Sequence, residues 1–449
     1  MATPDTLTPR MAGPAIRAWQ MAQALAVEHD VVLATTAACE VSSPDFDARA
    51  VDAGGVRQLE AWCDVLVFQG FFAHMHPLVL RSDKVLVVDV YDPLHLEQLE
   101  EARQQERPGW IQTVHVATAV LNEQLLRGDF FLCASERQRD FWLGQLAGLG
   151  RLNPVAYEDD ETLRSLIDVV PFGLPDAPPV KRRDVLRGAV PGIGPDDEVI
   201  LWGGGIWNWF DPLGLIRAVD KLRHRRPRVR LFFMGTRHPN PQVGQMRMAD
   251  AARDLAAELG LTGTHVFFND GWVPYDERHE YLLEADVGVS THLDHLEAAF
   301  AFRTRVLDYL WASLPMVLTA GDALADLVER RGLGLTVPAN DVAALEAALF
   351  TALDDTARRE EWKANAAAVA PEMTWPRVLE PLVAFCRAPR RAPDLVDQAT
   401  GRLLDHRLAR VHRRRRPLTD EVRAAAAHLR AGGPSEVARR ALRRLRPGP

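Results

Sequence analysis

Three features of the sequence predict an α/β chain made of two doubly wound, Rossmann-like domains facing a cleft. Short β-branched runs alternate with amphipathic helical stretches along most of its 449 residues, the pattern of parallel strands covered by helices. One stretch from Leu174 to Asp197 is rich in Pro, Gly and charge (PDAPPVKRRDVLRGAVPGIGPDD) and reads as a linker. On each side of it there are enough strand-sized runs for a separate sheet.

In the first half the strands are expected at Asp30–Ala37, Asp64–Gly70, Lys84–Tyr91, Asp129–Glu136 and Ile167–Gly173. Helical periodicity fills the gaps, as where Ile16, Trp19, Met21, Leu25 and Val27 bracket one apolar stripe. The second half repeats the alternation at Glu198–Gly205, Val229–Thr236, Thr264–Gly271, Ala285–His292, Leu314–Gly321 and Gly334–Ala339. The chain opens MATPDTLTPRMAGPAIRAW, which leaves little room for a strand before the first helix near Gly13. Either the N-terminal sheet has a short or missing first strand, or the natural start lies upstream.

Composition sets the class. Hydrophobic residues make up 47% and charged residues 25% of the chain, as in an ordinary globular protein. No apolar run approaches the ~20 residues of a membrane span, and no signal peptide opens the chain, so the expected location is cytoplasmic. Cys39, Cys63, Cys133 and Cys386 are scattered without CxxC spacing, and buried, inert thiols are expected. The net charge of -8 hides an asymmetry: from Pro389 onward there are sixteen Arg, no Lys and six acids. That tail carries +10 against -18 for residues 1–388.

The block from Gly271 to Pro338 is the most informative. A helix closing at Tyr281, Leu282 and Ala285 leads into a strand at Val287–Ser290, whose carboxyl end is where such sheets bind ligands. A loop and a second helix at Thr304–Ser313 follow, with N-terminal amides that can face an anion, then Leu314-Pro-Met-Val317 and the turn Gly321-Asp322. With Gly332-LGLTV-Pro338 before Asp341, this order and spacing resemble the retaining family-4 glycosyltransferases of the GT-B fold, over roughly the whole chain to Arg387. The resemblance implies transfer of a sugar, with retention, from a nucleotide-sugar to a glycan, lipid-linked or small-molecule acceptor, as in cell-envelope polysaccharide or natural-product glycosylation. It also implies that no metal or other cofactor is required, the leaving diphosphate itself helping to deprotonate the acceptor. The expected division is 1–175 for the acceptor domain, 176–197 for the linker, 198–365 for the nucleotide-sugar domain, 366–388 for a helix crossing back, and 389–449 for a basic helical tail.

The family's two Glu, eight residues apart, align with Phe300 and Asp308 here. Asp308 is therefore expected at the donor ribose, and Glu297, three residues early, is the nearest stand-in for the lost first acid; as surface acids both would be unremarkable. The family's Arg and Lys after the first strand of this domain are replaced by Leu201-WGGGIWNWFD-Pro212. Gly204 and Gly205 let backbone approach a ligand, Trp207 can stack on a sugar, and Val273 lies at the start of the block. Arg303 and Arg305 are the candidate phosphate cations, unless acids such as Asp294 or Asp308 claim them; Arg237 is a further basic candidate. In the N-terminal half Arg10 and Gly13 lie in the loop that faces donor phosphate in the family, though Gly13-Pro14 is also an ordinary helix start. The family's His-Asp pair appears as Tyr91-Asp92, followed by His95 and Glu97, and Asp92 is expected to hold the transferred sugar or the acceptor hydroxyl. His74 and His76 lack the companions of a metal site.

Two other classes remain open: a degenerate member that binds nucleotide-sugar or glycan without turnover, and an epimerase or pseudo-glycosyltransferase on the same fold. For the tail there are three readings. Its stripes (Leu404, Leu408, Val411; Val422, Ala426, Leu429; Val437, Ala441, Leu445) fit a peripheral contact with an anionic membrane, a docking module for the enzyme's own acidic body or a partner, or a solvated tail. Nucleic acid is not expected, since no aromatics interleave the basic residues.

Overall fold

The computed structural model describes residues 1–238 and 243–414, the last three by backbone alone. Seven parallel strands form the first sheet: β1 (Ala2–Thr3), β2 (Val32–Thr35), β3 (Asp47–Ala50), β4 (Val65–Gln69), β5 (Val85–Asp89), β6 (Phe130–Cys133) and β7 (Ile167–Val169). Their order is β3-β2-β1-β4-β5-β6-β7. The second sheet holds β8 (Glu198–Trp202), β9 (Val229–Phe233), β10 (Val266–Phe268), β11 (Val287–Ser290), β12 (Met316–Thr319) and β13 (Gly334–Val337), in the order β10-β9-β8-β11-β12-β13. Each sheet reverses its winding beside its first strand. The crevice outside β1/β4 and that outside β8/β11 are therefore the natural ligand sites, and they face each other.

The first strand is present but only two residues long, with Ala2 opposite Ala34 and Phe68, and Thr3 opposite Thr35. The edge strand β3 had no sequence signal, because Asp-Ala-Arg-Ala is exposed and carries no apolar alternation. All four cysteines are free. No helix among the described residues is long and apolar enough to cross a membrane.

The stretch read as a linker is docked rather than loose. The backbone N–H of Arg182 donates to Glu280, and those of Leu186 and Arg187 donate to Glu284, on the helix Arg278–Glu284. Two buried acids thus replace the strand partners that this irregular backbone lacks. Downstream, Leu174 and Trp375 join the halves: Leu174 N–H donates to the Met373 carbonyl at 2.8 Å and Trp375 N–H to the Leu174 carbonyl at 2.9 Å. A Cβ on Gly173 would fall 2.7 Å from the Trp375 Cα, so this crossing requires glycine there.

Beyond the crossing, Phe385 of the helix Glu380–Arg387 stacks on Phe130 of β6 with centroids 4.4 Å apart. Arg391 then pairs with Asp129, Arg390 with Asp159, and Arg151 with the fully buried Asp394. The helix Gln398–Arg414 packs against the helix Arg107–Arg127, with Leu404 buried. The beginning of the basic tail is thus docked on the acidic body of its own chain; the stripes at Val422–Leu429 and Val437–Leu445 lie outside the described residues.

Arg151 donates to both Asp394 oxygens (2.7 and 3.1 Å) and to the Leu125 and Gly128 carbonyls, with neither charged side chain exposed. Breaking such a pair strands a buried charge at a cost of about 3–5 kcal/mol. Asp394→Asn is expected to lower the urea midpoint accordingly, whereas Arg387→Ala, which removes the exposed pair with Glu28, is expected to leave the midpoint nearly unchanged.

Candidate functional site

Tyr309 fixes the geometry of the C-terminal wall. It lies on the helix Thr304–Trp311, is fully buried, and accepts a hydrogen bond from the Gly203 N–H at 2.8 Å while its hydroxyl sits 2.8 Å from the Val289 carbonyl. Its ring covers Gly288 so closely that a Cβ there would fall 2.6 Å from it. The helix is therefore held at a set height over the ends of β8 and β11. Gly203, Gly204 and Gly205 follow β8; Gly204 has φ +85°, which favours glycine, and a Cβ on Gly205 would press on the Trp272 ring at 3.0 Å.

Between the two walls lies a cavity of about 490 Å³. Of the candidate residues, Gly13, Asp92, Gly204, Gly205, Trp207, Val273, Arg305 and Asp308 line it. Trp207 stacks on Trp209 with centroids 5.4 Å apart and rings 11° from parallel, and its other neighbour is His238. Gly13 opens the helix Gly13–Leu25 at the cavity.

Arg305 and Arg303, two residues apart, have different fates. Arg305 is clamped between Trp202 and Phe210, 4.5 and 4.4 Å from their ring centroids, and gives one Nη2 hydrogen bond to the Gly205 carbonyl at 2.8 Å. Its Nη1 is buried with no partner, and burial lowers its pKa to about 10. Arg303 points away from the cavity. It is paired with Glu297 at 3.2 Å, with Asp322 3.5 Å from its Nε, and lies over the Phe210 ring. Glu297 is correspondingly consumed by Arg303, with His295 3.6 Å away, and does not line the cavity. Arg10 is exposed outside it, and Arg237 is exposed on a neighbouring hollow. Those four placements correct the expectation, since one-dimensional spacing says which helix a residue is on but not which partner takes its charge.

Asp308 is on the wall but not free: Arg278 Nε donates to its Oδ1 at 2.7 Å. Arg278 is sandwiched between the Tyr275 and Trp311 rings at 3.7 and 4.5 Å. Arg278 lines the cavity and was missed in the sequence, where it looked like one more charge on a polar helix start. The Trp272 indole N–H reaches the Met11 carbonyl at 3.3 Å and the Tyr275 N–H the Pro9 carbonyl at 3.1 Å, so the two walls touch at one rim. At the other rim Gln138 Nε2 donates to both the Tyr91 and Phe300 carbonyls at 2.7 Å.

On the N-terminal wall Asp92 hydrogen-bonds Glu97, from the first turn of the helix Leu94–Glu101. Burial, then the charge of Glu297, raises the Asp92 pKa to about 7; burial and the charge of Asp92 raise Glu97 well above the usual carboxylate range. Two such carboxyls share a proton rather than ionise together. Beneath them Asp89 is neutralised by Arg17, which donates to both its oxygens (2.6 and 2.9 Å) and to the Val170 carbonyl. Among the described residues no group of three His, Cys, Asp or Glu is arranged to hold a metal ion.

Residues 197–355 match the model of the family Glycosyl transferases group 1. Residues 197–355 thus resemble a group 1 glycosyltransferase domain, and the two facing sheets have the GT-B fold. Among curated proteins, none matches the sequence. Solved structures similar to it include sucrose-phosphate synthase from Thermosynechococcus elongatus, 16% identical, TM-score 0.62, covering 86% of this chain and 98% of that one. Anabaena HepE in complex with UDP-glucose is 14% identical, with a TM-score of 0.61 over 87% of this chain and 100% of its own. WaaG, a glycosyltransferase involved in lipopolysaccharide biosynthesis, is 16% identical, with a TM-score of 0.57 over 86% and 99%. At these identities the likeness is one of fold.

Because the folded-state pKa values of Asp92 and Glu97 lie above those of the unfolded chain (~4), the folded protein holds a proton that the unfolded chain has released. The protein is therefore expected to lose stability as pH rises from about 4 through about 7. Asp92→Asn or Glu97→Gln should flatten that part of a melting-temperature profile; an unchanged slope would mean the pair holds no proton.

Proposed function

We propose that the enzyme transfers a sugar, with retention of anomeric configuration and without a metal ion, from a nucleoside-diphosphate sugar bound on the C-terminal wall to an acceptor on the N-terminal wall. The observation that carries this reading is Arg305, a buried guanidinium with an unspent Nη1 donor at the mouth of β8. A diphosphate supplies the anion that such a cation needs. Gly204 and Gly205 leave room for the phosphates at their backbone, and the ribose falls to Asp308 in its pair with Arg278. The amides of Ala12 and Gly13, opening a helix at the same cavity, add a second anion-facing element from the opposite wall.

Asp92 is the group across the cavity placed to hold the transferred sugar or the acceptor hydroxyl. Of Asp92 and Glu97, lining carboxyls without a cation among the described residues, Asp92 lies at the position the resemblance implies for that role. Departure of the diphosphate builds negative charge beside Arg305, and a preorganised cation out of water stabilises that charge without reorganising. Uridine nucleotides are the first donors to test, since HepE has been solved with UDP-glucose and with UDP and glucose.

Titration calorimetry with UDP, GDP and dTDP tests the donor half. One nucleotide is expected to bind, and Arg305→Ala to weaken it by about 10- to 100-fold, the value of one or two charge-assisted hydrogen bonds, while leaving the affinity for the bare nucleoside nearly unchanged. No binding of any nucleotide would favour a degenerate member of the fold. With a donor in hand, an anomeric proton spectrum showing inversion, or activity abolished by EDTA and restored by a divalent ion, would refute the retaining, metal-independent form of the reading.

A further inference from the structure

The two walls of the cavity carry opposite chemistry. Arg305, Arg278 and His238 lie on the C-terminal side, whereas the lining residues before position 176 include no Lys, Arg or His. Two strand ends meet on that N-terminal side: Gln69 closes β4, Asp89 lies beside it in register on β5, and Asp92 follows three residues later. Asp89 is spent on Arg17. Asp92 and Glu97 have only each other, with Glu101 on the same helix, Glu297 across the rim and Asp89 below as their charged neighbours. Glu297 is itself spent on Arg303, and no cation is within ion-pair distance of Asp92 or Glu97 among the described residues.

A second observation, independent of these acids, concerns Gln69. It lines the cavity, is only 3% exposed, and gives its Nε2 to Thr3 Oγ1 and the Pro14 carbonyl, both at 2.8 Å. Those two acceptors fix the orientation of the amide, and its Oε1 is left buried without a partner. A buried acceptor left unmade is costly, so the wall is one oxygen short of a donor. Apart from the helix-opening amides of Ala12 and Gly13, the unspent groups named on this wall are acceptors.

We propose that the acceptor substrate is cationic, an amino sugar or aminocyclitol whose ammonium group lies between Asp92 and Glu97 and whose hydroxyl or ammonium hydrogens reach Gln69. The inference rests on the glycosyltransferase reading and names the substrate class of its acceptor half. A neutral sugar donates hydrogen bonds but brings no charge, so the carboxyl pair keeps its shared proton and only one member is a full acceptor. An ammonium takes the proton's place: both carboxylates ionise against it, and the displaced proton leaves to solvent.

Calorimetry on the full chain, saturated with whichever nucleotide diphosphate binds, tests this at pH 6.5 with paired probes: glucosamine against N-acetylglucosamine, and 2-deoxystreptamine against its N,N'-diacetyl form. At least one amine is expected to bind about tenfold or more tighter than its acetylated partner, with proton release seen as an enthalpy that depends on the buffer. Asp92→Asn and Glu97→Gln should each remove the preference while nucleotide affinity, the check on folding, stays as in the wild type. Absence of an amine preference in both pairs, or a preference that survives in the double variant, overturns the proposal. Loss of nucleotide binding in the wild type would instead sink the donor reading, so the two failures are distinguishable.

Discussion

A guanidinium cannot be taken out of water cheaply, and the cleft of this protein is arranged around that cost. Most of its buried arginines have carboxylates. Arg17 has Asp89, Arg151 has Asp394, and Arg303 has Glu297 and Asp322. Arg305 has none within ion-pair distance among the described residues; it has two aromatic faces, one carbonyl and one empty direction. Trp202 and Phe210 hold it in place by cation–π contact, and Tyr309, one turn along the same helix, holds that helix against the sheet. The wall is built to keep a charge waiting.

The opposite wall has the complementary problem. Asp92 and Glu97 are held close without a cation, and they solve it by keeping a proton. That the two uncompensated sites face each other across one cavity depends on the bridges at its rims. Gln138 ties Tyr91 to Phe300, and the Trp272 and Tyr275 donors reach the Met11 and Pro9 carbonyls. The Leu174–Trp375 crossing and the docked start of the basic tail brace the same relation from behind. Charge placement in the cleft therefore relies on contacts whose own residues are mostly neutral.

Much of the candidate site was legible because the fold concentrates it. The residues after the central strands β8 and β11 belong to the crevice whatever their identity; Gly204, Gly205, Trp207, Arg305 and Asp308, which the resemblance singles out, all line it. Arg278 was not singled out, since its role depends on the aromatic sandwich of Tyr275 and Trp311 and on Asp308, thirty positions away. Glu97 was noticed only as a neighbour of Asp92. Arg303 and Glu297 were assigned to the ligand because they lie in the right loop, yet they are consumed by each other.

The sequence by itself determined the two doubly wound sheets and the block whose residues line the cleft. Periodicity and strand order are local consequences of burying one face of each element. Only the tertiary structure decided which charges are spent. Arg303 and Arg305 are the same residue type on one short stretch, but side chains two positions apart there leave in different directions, and one meets Glu297 while the other meets the cavity. Pairing is a property of distance in space, and no spacing along the chain encodes it.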